Sequence, residues 1–220
     1  LAFLETEIGR EAQRNADPTE AISRFEAAIQ LKDGTVPAYL YLGDVRLACG
    51  DVQGAITSWE RVVDMAPERA YLAFDRLAAA YPKAGAPGKF QELCRGLIAA
   101  NPVEWRARLA LARHSAERGA LREALELLFE ALVHNPHALS IHQTIWQTLS
   151  KLGFDTSLVQ QYIDLTRGAV FYLDPHVCTH CRYRSTELLW QCPQCHEWST
   201  FLEERIAPAK DPTDAPRERN

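Results

Sequence analysis

The 220 residues read as a mostly α protein, an α-solenoid of paired helices followed by a small β-rich metal module, and three observations predict this. Gly50, Gly85, Gly119 and Gly153 recur at a step of about 34 residues. Pro67, Pro102 and Pro136 follow at the same step. Four cysteines then crowd into "CTHCRYRSTELLWQCPQC", at positions 178–195.

The clearest unit is "VPAYLYLGDVRLACGDVQGAITSWERVVDMAP", residues 36–67. Tyr39, Leu42 and Gly43 fall on one face of a first helix, where the glycine lets the next helix approach closely. Gly50 and Asp51 make the turn, with glycine supplying the left-handed conformation at a helix C-terminus. Ala55 is the small contact of the second helix, Trp59 fills the gap between helices, and Pro67 ends the unit. Gly9 with Gly43, Ala21 with Ala55, and Phe25 with Trp59 are each separated by that same step.

This unit resembles the tetratricopeptide repeat, a helix–turn–helix of about 34 residues. Units are expected at about 2–35, 36–69, 71–104 and 105–138, with a degenerate one at 139–170, so that 1–170 form one array. The third is loose: Phe90 takes the place of the small alanine, and Pro82 is expected to shorten its first helix. The fifth keeps Gly153 but has Leu158 in the alanine place, as suits a capping unit. Stacked repeats offer an extended surface for a protein or peptide. Repeats of this family that bind peptide carboxylates use Lys, Asn and Arg on their first helices. The corresponding places here hold Leu40, Tyr41, Asp44 and Leu47, then Asp75, Arg76 and Ala79, then Arg106, Leu109 and Arg113, which is a different pattern. Arg106 and Arg113 read as a solvated helix face, with contact to a partner as the alternative.

Composition narrows the classes further. A hydrophobic content of 47% supports a real core, and a net charge of −5 argues against a general phosphate-binding protein. Cys49 and Cys94 sit singly in apolar helical sequence and read as free buried thiols, which suits a reducing compartment. No stretch reaches the roughly 18 apolar residues of a membrane span, and no signal peptide opens the chain. The chain starts at Leu1 inside a helical pattern, so it is expected to be a fragment or processed chain, itself soluble, with any membrane anchor upstream.

Cys178, Cys181, Cys192 and Cys195 follow C-x2-C-x10-C-x2-C, two knuckles that supply four thiolates to a tetrahedral ion. The spacer "RYRSTELLWQ" is expected to run out and back as a hairpin. Disulfides disagree with the compartment, and a thioredoxin-like site needs a single C-x-x-C within a βαβ pattern. His176, His180 and His196 read as neighbours, since four thiolates already saturate the ion. Zinc and iron both suit four thiolates. Zinc is preferred as a closed staple, because so short a module needs the roughly 10–16 kcal/mol that structural zinc contributes in small peptides. Nucleic acid is not an expected partner: Asp174, Glu187, Glu197, Glu203 and Glu204 outnumber Arg182, Arg184 and Arg205, and a tetrathiolate centre adds negative charge. The module is expected to span 171–206. Val170, Phe171, Tyr172 and Leu173 are too apolar for a free linker and are expected to dock it on the repeats. A disordered tail at 207–220 follows.

Repeats followed by "HVCTHCRYRSTELLWQCPQCHEWST" resemble the lipopolysaccharide assembly protein B family. The resemblance rests on the ten-residue spacing, Trp190 two before Cys192, Cys-Pro-x-Cys at 192–195, and Trp198-Ser199-Thr200. One departure is Arg182, where the family usually has a glycine at positive φ. The resemblance implies a rubredoxin-like module closing a repeat array and a regulatory role on the cytoplasmic face of the bacterial inner membrane. It implies as partners the lipid A deacetylase, a membrane-bound ATP-dependent protease that degrades it, and other proteins of lipopolysaccharide synthesis. No catalytic signature stands out, so a non-enzymatic adaptor is expected, with an iron-binding electron carrier or a generic repeat scaffold as alternatives.

Overall fold

The computed structural model describes residues 1–153, 157, 160, 176–185 and 187–203. The chain divides into two compact units, Leu1–Pro136 with Ser140–Gln160, and His137–Leu139 with Gln161–Asn220.

The first unit is a succession of antiparallel helix pairs: α1 (Ala2–Arg14) and α2 (Pro18–Leu31), α3 (Val36–Ala48) and α4 (Val52–Met65), α5 (Phe74–Lys83) and α6 (Lys89–Ala100), then α7 (Trp105–Glu117) and α8 (Leu121–His134). The next first helix is α9 (Leu139–Lys151). Each helix from α1 to α7 packs on its successor, and first helices of neighbouring pairs also meet, α1 on α3 and α5 on α7. No helix among the described residues is long and apolar enough to cross a membrane.

Two local devices set this geometry. At the tight turns, residues Gly50, Gly85 and Gly119 take positive φ of 86°, 76° and 84°. The residue after each one donates its N–H back into the preceding helix, as in Asp51 N to Arg46 O at 2.9 Å and Ala120 N to Ser115 O at 2.9 Å. This is the helix-ending loop that glycine adopts without steric cost. The first turn makes the same bond, Asp17 N to Ala12 O at 2.9 Å, but its left-handed residue is Ala16, at φ 57°. Asp17 and Asp51 then cap α2 and α4, their carboxylates accepting from Glu20 N at 3.0 Å and Gly54 N at 2.8 Å.

The second device is a small residue facing a large one in the first two pairs. Phe25 and Trp59 are fully buried against Gly9 and Gly43. In the same phase, the next two pairs carry Ala78 with Cys94 and Ala112 with Leu128, a slightly larger residue on one helix and a smaller one on the other.

Several expectations are corrected. Pro82 does not cut α5 short; it sits in the last turn, and the helix starts late because Pro67–Ala73 form a 3₁₀ segment. Cys94 is buried as expected, but Cys49 is exposed, because it lies at the C-cap of α3 beside the turn glycine. Arg113 is exposed, as expected, and its Nε also donates to Thr144 Oγ1 at 3.3 Å, joining α7 to α9. Arg76 likewise gives Nε and Nη2 to the two Asp44 oxygens at 2.6 and 2.8 Å, joining α5 to α3. Arg106 lies with its guanidinium 4.7 Å from the Tyr71 ring centroid.

The second unit holds a three-stranded antiparallel sheet, β1 (His176–Cys178), β2 (Arg184–Ser185) and β3 (Phe201–Glu203), in the order β2-β1-β3. Among the described residues the spacer between knuckles does not fold back on itself as expected. Its start pairs with β1 around the first knuckle, and its end bridges Gln191 to Trp198 around the second. Each knuckle is thus the turn of its own hairpin. The expected boundary at 170/171, the docking residues 170–173, the second helix of the fifth unit apart from 157 and 160, and the tail at 207–220 fall outside the described residues.

Candidate metal centre

Two C-x-x-C turns repeat one backbone pattern. Cys178 N donates to Tyr183 O and Arg182 N to Cys178 O, both at 2.9 Å. In the second turn, Cys192 N donates to Glu197 O and His196 N to Cys192 O, again at 2.9 Å. Closing such a turn needs a left-handed residue after its second cysteine. Arg182 and His196 supply it at φ 64° and 61°. Neither is glycine, so both knuckles hold a conformation that L residues adopt at a cost.

The pattern aims amides at sulfur. Cys178 accepts from the N–H groups of His180 and Cys181, and Cys192 from those of Gln194 and Cys195. Cys181 accepts from Tyr183 N–H and Cys195 from Glu197 N–H. Thr200 adds a hydroxyl 3.1 Å from Cys178 Sγ. Burial pushes the Cys178 thiol up, but the Thr200 hydroxyl and the two amides outweigh it and bring it down to about 6. Cys192 is also lowered, its two amides outweighing burial. At Cys195 the Glu197 amide favours the thiolate, but burial and the three neighbouring sulfurs prevail and raise it to about 12. Four sulfurs this close resist carrying four charges without a cation among them.

The four Sγ atoms lie within 4.8 Å of one another. Cys178 and Cys195 are 3.7 Å apart, and Cys181 and Cys192 are 3.5 Å apart. Metal–sulfur bonds of about 2.3 Å in a regular tetrahedron put sulfurs about 3.8 Å apart, whereas a disulfide needs about 2.05 Å. All four cysteines are free, so the arrangement fits a tetrathiolate ion and not a pair of disulfides. Among the described residues this is the sole cluster of that kind, and no histidine belongs to it. His180 and His196 are exposed. The floor is Phe201, buried with Cys178 and Cys192, with Leu188 and Leu189 packed alongside. An ion held here has no open coordination position and would act by joining the knuckles.

The sequence points to all four sulfurs and to the duplicated turn. It gives no role to Thr200, whose hydroxyl reaches Cys178 only because β3 returns beside β1. Nor does it show that Asp44 and Arg76 are consumed in pairing the first helices of two units.

Comparison with known proteins agrees with both parts. Residues 176–203 match the rubredoxin metal binding domain, and residues 6–70 and 91–138 match the tetratricopeptide repeat. Lipopolysaccharide assembly protein B of Haemophilus influenzae is 22% identical over 198 residues, 87% of this chain and 49% of that protein. The chain thus spans about half the length of that relative, and the resemblance read from its cysteine module is found over both parts. A thermophilic tetratricopeptide-repeat protein of Thermus thermophilus superposes with a TM-score of 0.51 at 17% identity, over 79% of this chain and all of its own. MamA of Desulfovibrio magneticus gives 0.47 at 19% identity, over 76% of this chain and 93% of its own. With more than half of its residues in matched repeats, the chain belongs to the tetratricopeptide repeat family, and it carries a four-cysteine, rubredoxin-like metal-binding site similar to that of lipopolysaccharide assembly protein B.

Proposed function

We propose that the protein is a non-enzymatic adaptor that regulates lipopolysaccharide assembly. One observation carries this reading: helix pairs and a rubredoxin-like module occur in one chain, and the similarity to lipopolysaccharide assembly protein B runs through both. Its partners in this reading are the lipid A deacetylase, a membrane-bound ATP-dependent protease that degrades it, and other proteins of lipopolysaccharide synthesis. It works at the cytoplasmic face of the bacterial inner membrane, through an anchor outside these residues. The repeat array takes 1–170, the module 171–206 and a tail 207–220.

Cys178, Cys181, Cys192 and Cys195 bind one zinc ion in this reading, and the metal keeps the module folded. Support comes from the smallness of the apolar floor among the described residues, since so few buried side chains cannot hold a sheet of two- and three-residue strands. The same sulfur spacing also suits iron, which would make the module an electron carrier. Visible absorption and reversible redox cycling would mark iron, and zinc shows neither.

The test is capture from a Gram-negative membrane extract by the purified full chain, with the four-cysteine site loaded. Recovery of the deacetylase and the protease is expected. Recovery of neither would leave a repeat scaffold with other partners.

A further inference from the structure

The donors around the sulfurs are symmetric except for one. Each knuckle gives two amides to its first cysteine and one to its second. The Thr200 hydroxyl, 3.1 Å from Cys178 Sγ, has no counterpart at Cys192 among the described residues. Its position is fixed by backbone on both sides. Thr200 O accepts from Thr179 N at 2.8 Å, Ser199 N donates to Trp190 O at 2.7 Å, and Phe201 is in register with Cys178 across β1 and β3.

A metal-bound thiolate carries no proton, so in this pair only the hydroxyl can donate. Four thiolates on a divalent ion leave about two excess negative charges, and the exposed Glu187 and Glu197 flank the centre in sequence. Each donor to sulfur spreads that charge. We propose that Thr200 is a positioning residue of the metal centre, its hydroxyl donating to the Cys178 thiolate and slowing release of the ion from the first knuckle. This rests on the reading of the four cysteines as metal ligands.

The experiment uses the full chain loaded with zinc, and in parallel with cobalt, which reports thiolate bonding through its charge-transfer absorption. Thr200→Val, which removes the hydroxyl at nearly constant volume, should speed zinc transfer to a chelator about 10-fold, the lower end of what loss of an outer-shell partner costs. It should also move the cobalt–thiolate band to lower energy, because the Cys178 sulfur regains electron density. Thr200→Ser should return both to wild type. Thr57→Val, which removes an exposed hydroxyl from α4 in the helical unit, should change neither. If Thr200→Val holds no metal, Thr200→Ala takes its place; failure of both with retention by Thr200→Ser also supports the proposal. Wild-type rates and band in Thr200→Val, or defects that Thr200→Ser does not cure, would overturn it. A wild-type chain that takes up no metal would overturn the ligand reading as well, which separates the two failures.

Discussion

A Cβ added to Gly43 would stand 2.2 Å from Trp59 Nε1, because the indole lies directly on the α3 backbone and donates to Leu40 O at 3.1 Å. The indole is completely buried, so it has nowhere to retreat. Gly43→Ala should therefore destabilise the helical unit by about 2 kcal/mol, the middle of the range for overpacked cores. Gly96→Ala is the internal contrast. It lies on an exposed face of α6, where an added Cβ meets nothing within 4 Å, and should stabilise by about 0.5–1 kcal/mol. Urea unfolding of both variants checks the opposite signs.

Ala16 occupies the left-handed turn position that glycine holds in the following pairs. A non-glycine residue there costs about 1–2 kcal/mol, part of which glycine returns to the unfolded chain as entropy. Ala16→Gly should raise stability by about 0.5–1 kcal/mol, and Gly119→Ala, at φ 84°, should lower it by a similar amount. Thermal unfolding of the two variants is the measurement.

The thiols outside the metal centre should separate sharply. Cys49 is exposed, whereas Cys94 is fully buried and burial pushes its thiol up to about 12. In the folded, metal-loaded chain, iodoacetamide should label Cys49 promptly and leave Cys94 unmodified until unfolding. Mass mapping of the labelled peptides distinguishes them. Comparable labelling of both would contradict the burial of α6 against its neighbours.

Removing the metal should act on the module first. Among the described residues it buries only Val177 and Phe201 besides the cysteines, with Leu188 and Leu189 alongside, whereas the helical unit buries Phe25, Trp59, Leu77 and Leu128 without any ion. Chelation, or Cys192→Ser, should therefore abolish hydrogen-exchange protection over 176–203 while α1 to α8 keep theirs. Protection that persists over 176–203 without metal would show that the sheet stands on its own packing.

How much of this was legible beforehand depends on the range of the interaction. Gly50, Gly85 and Gly119 announce their turns because left-handed backbone selects residue type locally. Ala16 escapes that signal, although it sits one repeat length before Gly50 in the same phase. The four cysteines were legible because ligand type and spacing belong to the chain itself. Strand pairing was not. Which segment lies beside β1 depends on where the chain returns, and two-residue β2 carries too little pattern to say. Asp44 and Arg76 lie on first helices of different units, so their pairing could not be read until the helices were placed.

The functional claim meets its most direct test in the lifetime of the lipid A deacetylase. The chain, fused to a membrane-spanning helix, is expressed in Gram-negative cells lacking their own copy, either intact or with residues 171–206 deleted, and deacetylase decay is followed after synthesis is stopped. The adaptor account predicts rapid decay with the intact protein and a several-fold longer half-life with the deletion. An equal half-life with the intact protein, the deletion and no protein at all would contradict it.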